Sequence, residues 1–240
     1  MTATLLLARR ELLAYLRSPL GASIIAGALL IDGIYFYWKG LTEKLLSAVV
    51  LQEFFYGASG PTMIAAILLS MRLVAEERQT GTITVLNTSP IKDREIVLGK
   101  FFAALGLLAL LTLLTLYMPA LIFVNGKVSI GHIAVGYLGL LLLGASSVAI
   151  GLFASSLTRS QVVAGIVGAV ILAALILLWV VAKATDPPLN KFLSALAIHH
   201  ENFRSFMIGT LELDRVAYYL AVTYFFLLAA IKVLEARRWR

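Results

Sequence analysis

A chain of 240 residues in which 60% are hydrophobic and only 14% charged is not built like a soluble domain, where about a quarter of residues carry charge. Its apolar runs are long enough to cross a bilayer, so it reads as an integral membrane protein. The absence of cysteine excludes disulfides, thiolate metal sites and thiol catalysis, and the meaning of the net charge of +7 depends on how it divides between the two membrane faces.

Residues 1–18 form a basic leader. Leu5, Leu12 and Leu16 share one helical line, Arg10 and Arg17 another, and Arg9 falls near the leucines. A helix lying in the membrane interface fits this pattern; an ordinary basic flank of the first span fits it nearly as well. The first apolar run has no clean cleavage site after it, so it is expected to stay in the mature protein. Ser18-Pro19 marks the turn into the membrane, since proline suits the first turn of a helix.

Six apolar segments follow, at about 20–38, 54–74, 98–124, 132–154, 161–182 and 216–234. Each is near or above the roughly 20 residues needed to span the hydrocarbon core. Helices close their own backbone hydrogen bonds, so the expected fold is an all-α membrane protein of six transmembrane helices in a single transmembrane domain over 1–240. Tyr35, Tyr37, Trp38, Tyr117 and Trp179 lie towards span ends as interfacial anchors. With the N-terminus inside, the inner face holds thirteen bases and six acids, and the outer face seven of each. The whole net charge is then cytoplasmic, which reads as topology with both termini inside and not as nucleic-acid binding.

The inner loops are 75–97 and 155–161. Outside, 39–53 and 125–131 are short, whereas 183–215 holds Asp186-Pro187-Pro188, two short partly apolar pieces and the elbow His199-His200-Glu201-Asn202 between them. Two short helices that dip into the outer leaflet or cap the bundle satisfy that pattern.

Chemistry is sparse. No Gly-x-x-x-x-Gly-Lys-Ser/Thr is present, so the chain has no nucleotide site of that kind, and no catalytic residue, cofactor site or metal site is assigned to it. Gly144-Ala145-Ser146-Ser147 lacks the closing glycine of a nucleophile elbow. His199 and His200 do not share a helical face, and a solvated elbow is the simpler reading of them. Asp32 is the only acid well inside a span and is a candidate pathway residue; its closeness to Tyr35–Trp38 offers outer-face water as the plainer account. Small residues recur at helical spacing: Ala164 with Gly168, then Gly165, Ala169 and Ala173, and Ala22 with Ala26. Such rows let helices approach closely, within one bundle or between two copies.

The stretch 76–100 is the largest charged loop of the inner face. Glu76, Glu77 and Arg78 extend the second span, Gly81 permits a sharp turn, and Thr82 caps a short helix carrying Ile83, Val85 and Leu86. Ser89-Pro90 caps the return into the bilayer. Exposed apolar residues held between two rigid spans suit insertion into a partner's groove.

Glu77-Arg78-Gln79-Thr80-Gly81-Thr82, with Leu86, Ser89-Pro90 and Gly99-Lys100, resembles the signature of type-2 ATP-binding-cassette (ABC) exporter permeases. The six-span order, the basic leader, the loop Ser156-Leu157-Thr158-Arg159-Ser160-Gln161 and the structured fifth connection match along essentially the whole chain. The stretch from His200 to Trp239 looks like the branch associated with gliding-motility permeases. The resemblance implies that Ile83–Leu86 is a coupling helix seated in a separate ABC ATPase, with Glu76, Glu77 and Arg78 the nearest charges and residues 157–161, including Thr158 and Arg159, a second contact. It implies an interfacial leader helix, outer re-entrant helices, ATP and Mg held by the ATPase, and two permease copies meeting through the first and fifth spans, as a homodimer or a heterodimer. The expected function is ATP-driven export of an unidentified substrate across the cytoplasmic membrane. The alternative is a mechanotransmission complex without cargo, which an extracytoplasmic accessory subunit would favour.

Overall fold

The computed structural model describes residues 3–42, 46–82, 91–126 and 128–238. Among them every regular element is helical, and six helical stretches are long and apolar enough to cross a membrane: Pro19–Gly40, Ser47–Gln79, Asp93–Val124, Ile130–Leu157, Gln161–Lys183 and Leu213–Ala236. Each contains most or all of one predicted apolar segment and runs past it at one or both ends, because capping and polar first turns are helical as well.

Helix α1 (Ala3–Arg17) buries Leu7 and Tyr15 against the bundle and leaves Leu5, Leu6, Leu13 and Leu16 exposed. It lies along α5 (Asp93–Leu114), where glycines admit it: a side chain at Gly99 would meet Leu7 at 3.0 Å, and one at Gly106 would meet Leu12 at 3.6 Å. Ser18 caps α2 (Pro19–Phe36) by accepting from the Leu20 amide at 3.3 Å, with Pro19 in the first turn, and α2 runs on into a wider π-helical turn, Tyr37–Thr42.

The second span is interrupted. Helix α3 (Ser47–Ser70) gives way to an irregular turn over Met71–Val74 before α4 (Ala75–Gln79). The third span is likewise α5 (Asp93–Leu114) followed by α6 (Tyr117–Asn125), and at the junction the Thr115 hydroxyl donates to the Thr112 carbonyl at 2.8 Å. The fourth span, α7 (Ile130–Leu157), is the hub and packs on α3, α5, α8 (Gln161–Lys183), α10 (His200–Met207) and α11 (Leu213–Arg238).

Two short helices, α9 (Leu189–Leu196) and α10 (His200–Met207), stand between the fifth and sixth spans. Phe203 and Phe206 of α10 are fully buried in a cluster with Phe55, Leu140, Leu143 and Tyr219. Asn202 organises the elbow: its amide donates to the Ala195 and Ala197 carbonyls at 3.1 and 2.8 Å, and its oxygen accepts from Arg215 at 2.9 Å. By contrast α2 and α8 leave most of their surface uncovered. Lipid tolerates such apolar faces, and so does another helix that brings small residues to them.

Candidate docking face and membrane groove

At the end of the bundle that carries the 75–97 loop, the turn over Met71–Val74 would strand backbone groups inside the protein. Ser155 of α7 satisfies three of them. Its hydroxyl accepts from the Val74 and Ala75 amides at 3.0 Å each and donates to the Met71 carbonyl at 2.9 Å. The Arg78 guanidinium donates to the carbonyl of the neighbouring Ser156. The base of the long inner loop is therefore fastened to the end of the fourth span, next to the second inner loop.

The charges that the sequence assigns to this base have partners within the chain. Arg72 grips both oxygens of Glu76, at 2.6 and 2.9 Å. Glu77 pairs with Lys100 at 2.8 Å; Lys100 also reaches Glu11 at 3.4 Å, and Glu11 pairs with Arg10 at 2.8 Å. Burial pushes the Glu11 carboxyl up, but Lys100 and Arg10 outweigh it and hold the group below the usual carboxylate range. Tyr15 donates its hydroxyl to the Leu69 carbonyl at 2.8 Å, and the Arg72 guanidinium lies 5.3 Å from its ring centre. Burial raises the Tyr15 hydroxyl far above its ordinary range, so it stays a neutral donor.

Gly81 stands at φ 75°, in the left-handed region that favours glycine, so the sharp turn expected there is present. The Thr80 and Thr82 hydroxyls meet at 2.9 Å across it. The proposed coupling helix with Ile83, Val85 and Leu86, and the cap Ser89-Pro90, lie outside the described residues. In the second loop the Thr158 hydroxyl folds onto Ser160, donating to its carbonyl at 2.7 Å and accepting from its amide at 3.1 Å, and Arg159 is exposed. Glu11, Tyr15, Arg72 and Ser155 were not singled out from the sequence, and Lys100 was read only as the end of the 76–100 stretch and a part of the Gly99-Lys100 signature. The available signal was a lysine placed two turns inside a helix whose neighbours are apolar.

Within the membrane the two rows of small residues in α8 separate. Ala164 and Gly168 are buried, and a side chain at Gly168 would meet Gly151 at 3.4 Å and Ala154 at 3.5 Å, both in α7. Ala169 and Ala173 are exposed and Gly165 half-buried, and all three line a groove of about 630 Å³ between α3 and α8. A second groove of about 390 Å³ runs between α2 and α3 and shares Ile64, Leu68 and Met71 with the first. Ala22 and Ala26 lie on the exposed side of α2, outside the lining of that groove.

Asp32 does not reach outer water, as its position near the span end had suggested. It is 4% exposed, and its Oδ1 has no hydrogen-bond partner among the described residues. Nor does it line either groove.

The two elbow histidines part company. His200 lies against Trp179, with ring centres 3.7 Å apart. His199 is half-buried rather than solvated, with its Nε2 2.7 Å from the Ser59 hydroxyl. Ser59 gives its own hydrogen to the Tyr56 carbonyl at 2.6 Å, so Nε2 of His199 is the donor. Among the described residues no three His, Asp or Glu side chains converge as a metal site would need. Burial, then the nearby His200, depress His199 from 6.5 to about 4. The unfolded chain therefore binds the extra proton first, and the neutral ring stabilises the fold fully above pH 6.5 and loses that contribution as pH falls towards 4. Thermal unfolding in detergent should show a loss of about 2 kcal/mol between pH 7 and pH 5 that His199→Gln lacks.

Comparison with known families matches residues 41–234 to the model described as ABC-2 family transporter protein. Comparison with curated proteins finds no match.

Proposed function

Because this chain belongs to the ABC-2 transporter family and is a multi-pass membrane permease component of an ABC transporter, we propose that it exports its cargo with energy from a separate ABC ATPase. ATP and Mg are held by that ATPase, and the loop after Arg78 is the seat for it. Ile83, Val85 and Leu86 insert into the partner, and Thr158 and Arg159 touch it beside them.

The observation that carries this reading is the fastening of the loop base by Ser155 and Arg78. A push on the loop reaches the second and fourth spans together and is not absorbed by a slack connection. Glu76, Glu77 and Arg78 border the ATPase and hold the seat in shape. Two copies face each other through α2 and the open row Gly165, Ala169 and Ala173. The paired grooves beside α3 then form the pathway, and rigid movement of the helices alternates its access. Apart from Ser23, the groove lining carries no polar side chain, so cargo passing along it meets aliphatic groups. The setting is the cytoplasmic membrane with both termini inside, and α9 and α10 lie at the outer leaflet.

Co-expression with the candidate ATPase, followed by purification in mild detergent, tests this. The expected particle has two permeases and two ATPases and hydrolyses ATP. Ala169→Trp, which fills the exposed row, should weaken permease pairing by about tenfold or more, since a misfit side chain at a close helix contact costs about 1–3 kcal/mol. A permease that purifies alone, or pairing untouched by Ala169→Trp, would count against the reading.

A further inference from the structure

Lys100 is the least expected charge in the molecule. Its side chain is 2% exposed, two turns inside α5, and water cannot solvate its ammonium. The counter-charges come from two other elements: Glu77 of α4 at 2.8 Å and Glu11 of α1 at 3.4 Å. Arg10 completes the set, 2.8 Å from Glu11 and 3.9 Å from Glu77. Two cations meet two anions, so the cluster is neutral as a whole.

A buried ion cluster is a poor source of net stability, because desolvation offsets attraction, but it defines geometry sharply. The geometry in question here is that of α1 against the loop base. Beside Lys100 the two are separated by a cleft of about 310 Å³, with Ala14 and Tyr15 on one wall and Glu76, Thr80 and Thr82 on the other. Across that cleft the ions at Lys100 make the join to α4, while Tyr15 is tied to Leu69 and lies beside Arg72 at the end of the second span. On its far side α1 exposes Leu5, Leu6, Leu13 and Leu16 beside Arg9 and Arg17, a face suited to the membrane interface.

We propose that Lys100 is a positioning residue that pins α1 to the docking loop, so that α1, α4 and the start of α5 move as one body when the partner ATPase acts. This rests on the docking function proposed above. The interfacial helix is then part of the moving assembly, and the third span receives the push along with the second and fourth.

The chain has no cysteine, so Ala14→Cys with Thr80→Cys places one pair of spin labels per copy on opposite walls of the cleft, and dilution of labelled chain with unlabelled parent isolates the distance within one copy. Distances are measured in nanodiscs on the chain alone, and on its complex with the ATPase in the nucleotide-free and ATP–vanadate-trapped states. The expected result is one narrow distribution, unchanged by trapping. With Lys100→Met it broadens and responds to trapping, and ATP hydrolysis by the complex falls about fivefold or more while the ATPase still co-purifies. Lys100→Arg keeps the narrow distribution. Glu11→Gln, which spares the lysine, broadens it in the same direction and decides the matter should Lys100→Met fail to fold. A parent distribution that shifts on trapping, or one equally narrow in Lys100→Met or Glu11→Gln, overturns the pin. Loss of the ATPase from the parent complex would instead sink the docking reading, and the measurement on the chain alone would still judge the pin.

Discussion

Replacing Ile83 and Leu86 together by aspartate should leave the chain in the membrane but strip it of its ATPase. Neither residue belongs to a predicted span, so insertion and folding of the six spans should be unaffected. Binding is another matter. Each aliphatic side chain buried in a partner's groove contributes about 1.5–3 kcal/mol, and a carboxylate in its place must also be desolvated. Two such changes amount to about 4 kcal/mol at least, a thousandfold loss of affinity. Co-purification and ATP hydrolysis after reconstitution provide the readout. Hydrolysis equal to that of the parent complex would end the claim that this loop is the docking element.

Gly151→Leu should be the most damaging single change within the bundle. Gly151 lies in α7 where the second, fourth and fifth spans converge. A Cβ there would overlap the Ser70 hydroxyl, stand 2.9 Å from the Ser70 Cβ and 3.4 Å from Ile67. From the other side, Gly168 of α8 approaches the Gly151 backbone so closely that a Cβ on Gly168 would be 3.4 Å away. Neither neighbour is the free end of a long side chain, so the helices must separate. Overpacking of this kind costs about 1–3 kcal/mol for an extra methylene or two, and a leucine should exceed that range. Gly27→Ala is the control. Nothing lies within 4 Å of its Cβ position, and the better helix former should be neutral or gain up to about 1 kcal/mol. Thermal unfolding in detergent compares the two, and a Gly151→Leu protein as stable as the parent would show that the three spans are not packed as described.

The six spans and the base of the polar loop between the second and third were legible because both rest on local signals: the length of an apolar run, and the contrast of a polar stretch between two of them. Ser18-Pro19 and Gly81 were legible for the same reason, since capping and left-handed turns are chosen by the residue itself. What the sequence left open is set by contacts between distant positions. Lys100 finds Glu11 at a separation of 89 residues, and no spacing rule links them. Nor does the break at Met71–Val74 show as a gap in hydropathy, because its residues are mostly apolar and the group that satisfies it, Ser155, sits in another helix. The small-residue rows of α8 look alike in sequence. Only the side on which α7 lies separates the closed row at Ala164 and Gly168 from the open one at Gly165, Ala169 and Ala173. For Asp32, nearness to a span end was taken for access to water, whereas the helices around it bury it; His199 was taken for part of a solvated polar elbow, whereas it is half-buried with its ring on Ser59.

The Ser155 clamp also has a bearing on how such a protein can be re-engineered. A graft that carries only residues 75–97 from another permease would leave the Ser155 hydroxyl in place but replace Arg78 and Glu77, whose partners Ser156 and Lys100 stay behind. Segments 71–100 and 150–161 are fastened to each other although residues 101–149 separate them in the chain. If the loop seats the ATPase as proposed, a change of partner would require both pieces to be exchanged together.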